Sequence, residues 1–176
     1  MTAEHPPRTW PAEIFQAFKK LGITQVAYVP DAGHTQLILD AHADPAIKAV
    51  SLTTEQEGVA MLAGAWLGGE RGALLMQSSG AGNCVNMLSL AQECRFPLLM
   101  LVTMRGEWGE FNPWQIAMGS STQRVLEDAG CVVQRVDRAE DAGAVVFAAG
   151  QMAFNTNRAI AVLIGQRVIG FKDWSK

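Results

Sequence analysis

Long apolar runs are missing from this sequence, although 49% of its 176 residues are hydrophobic. The most apolar stretches, such as Phe96 to Met104, fall well short of the roughly 20 residues a membrane-spanning helix needs. They read instead as strands buried on both faces of a parallel sheet. Charge is scarce as well, at 18% of residues. The net charge of −3 and the scattered basic residues exclude a nucleic-acid groove. So low a charged fraction leads us to expect part of the surface to be covered by another subunit. Cysteine is limited to Cys84, Cys94 and Cys131, an odd number at no metal-ligand spacing. That excludes a disulfide framework and predicts free, mostly buried thiols in a cytoplasmic protein. His5, His34 and His42 are too dispersed to form a metal site by themselves. Met1 to Pro7 carries an acid and two prolines with no apolar core, which does not read as a signal peptide.

What the chain does have is alternation. Helical patterns over Trp10 to Leu21, Thr35 to Ala43, Glu55 to Leu67, Gly82 to Cys94, Thr122 to Ala129 and Ala139 to Thr156 are interleaved with strand patterns. The strands are Gln25 to Val29, Ile47 to Leu52, Ala73 to Gln77, Pro97 to Thr103, Val132 to Val136 and Ala159 to Leu163. Strands separated by helices of roughly 10–15 residues imply parallel pairing. The expected fold is therefore α/β: a single doubly wound domain with a mainly parallel sheet flanked by helices. Its core runs over about 11–165, residues 166–176 form a tail, and a long aromatic loop spans 104–120.

One carboxylate is out of place in this pattern. Val59, Leu62, Ala63 and Trp66 follow Glu55 at helical spacing, so Glu55 lies on the apolar stripe of its own helix. A buried carboxylate needs a partner. Its neighbour Glu57 has a structural task, because Thr54-x-x-Glu57 reads as a capping box. Glu55 has none beyond favouring the helix dipole, which makes it a candidate proton-transfer group.

Ligands of open α/β sheets bind beyond the carboxyl ends of the strands, and the unusual residues of this chain collect there. Pro30-Asp31-Ala32-Gly33-His34 follows the first strand, Thr53-Thr54-Glu55 the second, and Gln77-Ser78-Ser79-Gly80-Ala81-Gly82-Asn83 the third. The fourth leads into Met104-Arg105-Gly106-Glu107-Trp108. The Ser78 to Asn83 segment reads as a tight glycine turn, either a ligand-binding loop or simply a strand-to-helix connection. It lacks the third glycine and the downstream acid of a dinucleotide fingerprint, and the chain has no P-loop lysine. His34, after a glycine, is expected to present an exposed imidazole suited to proton transfer. Arg105 either clamps an anionic substrate or pairs with Glu107 or Glu110. Trp108, Phe111 and Trp114 suit a lid or a subunit contact.

Glu55-Gln56 followed by Val59-x-Met61-x-x-Gly64, with Ser79-Gly80-Ala81-Gly82 after the next strand, resembles the pyrimidine-binding domain of thiamine diphosphate enzymes. The likeness is nearest to the sulfopyruvate decarboxylase α subunits and the phosphonopyruvate decarboxylases. It is carried by Leu75-Met76-Gln77-Ser78-Ser79-Gly80 with Gly82-Asn83, and by Arg105-Gly106-Glu107 with Gly109-Glu110, Asn112-Pro113 and Gln115. Many members place an asparagine three residues after the glycine turn, whereas here Asn83 follows it directly.

The resemblance implies a 2-oxoacid decarboxylase acting on sulfopyruvate or phosphonopyruvate, with the cofactor supplying the carbanion chemistry. Glu55 would hydrogen-bond N1′ of the aminopyrimidine and start the proton relay. Ser79, Gly80, Gly82 and Asn83 would line the cofactor. Asp31, His34, Ser78 and Arg105 would face the acidic substrate, with His34 also delivering a proton. The Gly-Asp-Gly segment that binds Mg²⁺ and the diphosphate in this family is absent from these residues. The resemblance therefore implies a pyrophosphate-binding β subunit, in an α₂β₂ or larger assembly, that holds Mg²⁺. A carboligase or another 2-oxoacid decarboxylase of the same superfamily, and a non-catalytic α/β binding module that kept the fold, are the competing expectations.

Overall fold

A computed structural model describes residues 9–170. Residues 1–7, read above as lacking a leader, and residues 171–176 of the expected tail lie outside the described residues. All six expected strands form: β1 (Ile23–Tyr28), β2 (Lys48–Ser51), β3 (Arg71–Gln77), β4 (Leu98–Thr103), β5 (Val132–Val136) and β6 (Ala159–Ile164). Every neighbouring pair is parallel, in the order β2-β1-β3-β4-β6-β5. The helices are α1 (Thr9–Leu21), α2 (Thr35–Ala43), α3 (Glu55–Leu67), α4 (Ser78–Cys84), α5 (Leu88–Cys94), α6 (Ile116–Asp128), α7 (Ala142–Thr156) and the short α8 (Gln166–Ile169). No helix among the described residues is long and apolar enough to cross a membrane.

The continuous apolar run of β4 is explained by burial on both faces, all six of its residues being buried. Because side chains alternate along a strand, Leu99 and Leu101 join a core with Ile14, Phe18, Leu37 and Val146 from α1, α2 and α7. Leu98, Met100 and Val102 join a second core with Val59, Leu62, Leu88 and Leu126 from α3, α5 and α6. Helix α3 approaches the sheet closely at Gly58, where a Cβ would overlap Leu74 and Leu52.

This winding places the site. From β1 the chain turns through α2 to β2, and from β3 it turns through α4 and α5 to β4 on the other side. The strand order therefore reverses between β1 and β3, and the crevice at their carboxyl ends is the expected ligand position.

Three expectations about local structure are corrected. The segment Ser78 to Asn83 is not a turn but most of α4, and neither Gly80 nor Gly82 has a positive φ. The helix expected over Gly82 to Cys94 therefore begins earlier and is interrupted between Cys84 and Leu88. The aromatic loop ends sooner than 120, because Asn112 caps a turn by accepting from the Trp114 N–H at 3.1 Å, Pro113 starts that turn, and α6 follows from Ile116. Finally, Gln166 to Ile169 are not a tail. They form α8, with Gln166 and Ile169 buried.

Candidate functional site

Glu55 begins α3 and is 7% exposed. Glu57 does the capping work, its carboxylate accepting from the Thr53 N–H at 2.9 Å and the Thr54 N–H at 3.4 Å. Among the described residues Glu55 itself accepts one hydrogen bond, at Oε2 from the Asn83 side-chain amide at 2.8 Å. Its Oε1 lies over Gly80, where any Cβ would overlap the carboxylate. Gly80 is thus required for space rather than for backbone freedom. Asn83 sits one helical turn beyond Gly80 on α4, which brings its amide to the same carboxylate. Cys84 lies close enough that burial, aided by the Glu55 charge, pushes its thiol up to about 12. Burial raises Cys131 to about 12 as well. Both thiols stay protonated and are no thiolate nucleophiles. Cys94 is exposed, so the three free thiols are mostly buried, as expected.

On the other side of the crevice Asp31 is held by three elements at once. Its Oδ2 accepts from Thr103 Oγ1 at 2.6 Å and from the Gly33 N–H at 3.1 Å, and its Oδ1 accepts from Gln77 Nε2 at 2.9 Å. Ser79 Oγ donates to Gln77 Oε1 at 2.8 Å, so a hydrogen-bonded line runs from Asp31 through Gln77 to Ser79, next to Gly80. Gly82, the last of the expected cofactor residues, is exposed, and a Cβ there would touch Met118. A cavity of about 150 Å³ opens beside Asp31, lined also by Gly33, Thr103, Arg105, Glu110 and Gln166. A larger cavity, about 550 Å³, lies at the opposite end of the strands, beside Ala159 at the start of β6. Its Arg95 and Arg158 follow the ends of α5 and α7, where cations complement the helix dipoles. The carboxyl-end crevice, with its converging polar groups, is the site the chemistry favours.

The loop after β4 is folded down rather than open. The Arg105 guanidinium grips Glu110 through Nε and Nη2, both at 2.6 Å, with its Cζ 5.6 Å from the Phe111 ring centroid. The ion pair expected for Arg105 is present, with Glu110 as its partner. Arg105, together with the N–H groups of Asn112 and Gly106 and the Gln166 amide, holds the Glu110 carboxyl down at about 2. Gln166 is 1% exposed and binds the loop from below. Its Oε1 accepts from the N–H groups of Glu107 (2.9 Å) and Trp108 (3.0 Å), and its Nε2 donates to Glu110 Oε2 at 3.0 Å. Glu107 in turn pairs with Arg135 at 2.8 Å. Trp114 is 84% exposed and Ile116 49% exposed, so the aromatic loop presents an apolar face.

His34 is not the exposed imidazole expected from the glycine before it. The 3₁₀ turn Ala32–His34 carries the ring into the protein, where it is fully buried and Nε2 donates to Leu101 O at 3.2 Å. That bond requires the proton on Nε2, since a carbonyl only accepts. The other nitrogen, Nδ1, makes no hydrogen bond of normal geometry among the described residues. Burial lowers the ring's pKa, so it is neutral near pH 7. Ser78 is also fully buried, its hydroxyl accepting from the Arg105 N–H at 3.1 Å. It therefore pins the loop from beneath instead of lining the cavity. Sequence reasoning placed Gln77 at a strand end without giving it a role, and missed Thr103 and Gln166. A polar residue ending an apolar strand marks the first two, and nothing local marks the third. Among the described residues, no group of three His, Cys, Asp or Glu is gathered to hold a metal ion.

The family model described as thiamine pyrophosphate enzyme, N-terminal TPP binding domain, matches residues 9–115, a stretch that holds Glu55, Gly80 and Asn83. The chain belongs to this family. Over 86% of its length it is 34% identical to the sulfopyruvate decarboxylase subunit alpha of Methanothermobacter thermautotrophicus, covering 92% of that protein. It is 40% identical over 118 residues to the phosphonopyruvate decarboxylase of Streptomyces viridochromogenes, but matches only 30% of that longer enzyme. In fold it is similar to a 2-oxoglutarate:ferredoxin oxidoreductase from Magnetococcus marinus solved with 2-oxoglutarate, coenzyme A and succinyl-CoA bound. The TM-score is 0.72 at 14% identity, over 91% of this chain and 29% of that one.

Proposed function

We propose that this chain is the pyrimidine-binding subunit of a two-component thiamine diphosphate-dependent 2-oxoacid decarboxylase. Its substrate would be sulfopyruvate or phosphonopyruvate. The observation that carries this reading is the Glu55 carboxylate, buried at the start of α3, with Oε2 held by Asn83 and Oε1 over Gly80 with no hydrogen bond among the described residues. The arrangement fits an aminopyrimidine, because a fixed, nearly dry carboxylate oxygen with free lone pairs is what a ring nitrogen that must be kept protonated requires. When bound, the cofactor supplies the electron sink for loss of CO₂.

The remaining roles belong to this chain. Asn83 orients Glu55, and Gly80 leaves it room. Ser79 and Gly82, three residues apart on α4, face the cofactor. Asp31 contributes a carboxylate fixed by Thr103 and Gln77 at the edge of the cavity. Arg105 meets the acidic end of the substrate, with Ser78 holding its backbone. His34, neutral and buried, passes or holds a proton beneath the floor.

A pyrophosphate-binding β subunit completes the site and holds Mg²⁺. The relative named subunit alpha, matched over nearly its whole length, supports this division, as does the exposed apolar face at Trp114 and Ile116. We place the assembled enzyme, α₂β₂ or larger, in the cytoplasm. Co-purification of the chain with its candidate partner tests the reading, with CO₂ release measured with and without thiamine diphosphate and Mg²⁺. Cofactor-dependent release from the mixture alone is the expected result. Release by this chain alone would defeat the division. Carboligation without net decarboxylation would favour a carboligase, and no turnover with any 2-oxo acid a binding module.

A further inference from the structure

Gln166 lies outside both the family match over residues 9–115 and the core expected from the sequence. Yet it is among the most deeply buried polar side chains in the chain, 1% exposed. Four hydrogen bonds run between it and one short segment. Its Oε1 accepts from the Glu107 and Trp108 N–H groups, its Nε2 donates to Glu110, and its own N–H donates to Glu107 Oε2 at 3.3 Å. Each of the four bonds reaches a different atom of the segment. The contact therefore fixes the loop's position and its rotation together.

The segment it fixes is the one that aims Arg105. Glu110 holds the guanidinium by two bonds, and Glu110 is held in turn by Gln166. The backbone of Arg105 and Gly106 is pressed against α6, where a Cβ on Gly119 would overlap Arg105 O and one on Gly106 would overlap Gln115 O. Gly106 also has a φ of +75°, which favours glycine. Gln166 and Arg105 line the same cavity as Asp31. An uncharged amide suits this position, since it presents one acceptor to two backbone donors and one donor to a carboxylate. A carboxylate there would face Glu110 with like charge.

We propose that Gln166 is a positioning residue that sets substrate affinity by holding the Arg105–Glu110 pair over the cavity. This rests on the reading of Arg105 as the group that meets the acidic substrate.

Two readouts on the Gln166→Leu variant test the proposal. Amide hydrogen exchange on the full-length chain is expected to speed up at residues 106–111 by about tenfold or more, while β4 and β6 keep their protection. In the complex with the partner subunit, KM for the acidic 2-oxo acid is expected to rise about tenfold, with kcat within about threefold. The exchange arm does not depend on the activity, so it still reports if no decarboxylation is found with any partner. Unchanged exchange in the loop would overturn the proposal. So would a fall in kcat with KM unchanged. Should Gln166→Leu fail to fold, Gln166→Glu keeps an acceptor for both N–H groups and sets a charge against Glu110. It must then raise KM in the same way, and an unaltered KM overturns the proposal.

Discussion

At Glu55 a carboxylate that burial should exclude is kept by a single amide from Asn83 and by the missing Cβ of Gly80. The tip of a flexible side chain yields more easily than backbone. Gly80→Ala is therefore expected to fold at a cost of about 1–3 kcal/mol while displacing the carboxylate. Urea denaturation would show the modest loss, and the assembled enzyme would lose most of its activity; full activity would mean the carboxylate has no fixed position to lose. His34 carries a prediction in pH. Its folded-state pKa lies below the ordinary 6.5 because it is buried. Between 6.5 and that lower value the unfolded chain binds the extra proton, so stability falls as pH drops through this window. Denaturant midpoints at pH 7.5 and 5.5 should differ less for His34→Gln than for the natural chain. An identical slope would mean the ring is not held neutral.

Among elements, the loop after β4 behaves as part of the fold rather than as a free lid. Glu110 is its keystone, taking two bonds from Arg105 and one each from Gly106, Asn112 and Gln166. Because its pKa is lowered from 4.5 to about 2, its contribution is complete above 4.5 and is lost as pH falls from there towards 2. Glu110→Gln is expected to destabilise the chain at neutral pH by about 1–3 kcal/mol. The gap from the natural chain, followed by urea denaturation, should close between pH 4.5 and 2; a gap independent of pH would contradict the ion-pair account. β4 and β6 were the strands most legible in the sequence, because each is an unbroken apolar run buried along its whole length. Helix α4 was not legible, because Gly80 and Gly82 read as breakers. The small size of Gly80 is instead required by Glu55, which is distant in sequence. The buried turn of His34 and the grip of Gln166, 56–59 residues from its partners, have no local signature at all.

At the scale of the whole molecule, the doubly wound sheet brings the ends of β1, β3 and β4 together, and Asp31, Gln77 and Thr103 join them across the reversal in strand order. The family offsets around Glu55 were visible in the sequence, whereas the division of the crevice into a Glu55 side and an Asp31 side needed the structure. Gln77 and Ser79 form the bridge between the two. The account rests on this chain supplying the proton-relay carboxylate while a partner supplies the metal and diphosphate contacts. The most direct test is the rate of CO₂ release by the assembled complex carrying Glu55→Gln, at saturating thiamine diphosphate and Mg²⁺. The account predicts a fall in kcat of about 100-fold or more with the complex still assembled. A variant that keeps the full rate would contradict it.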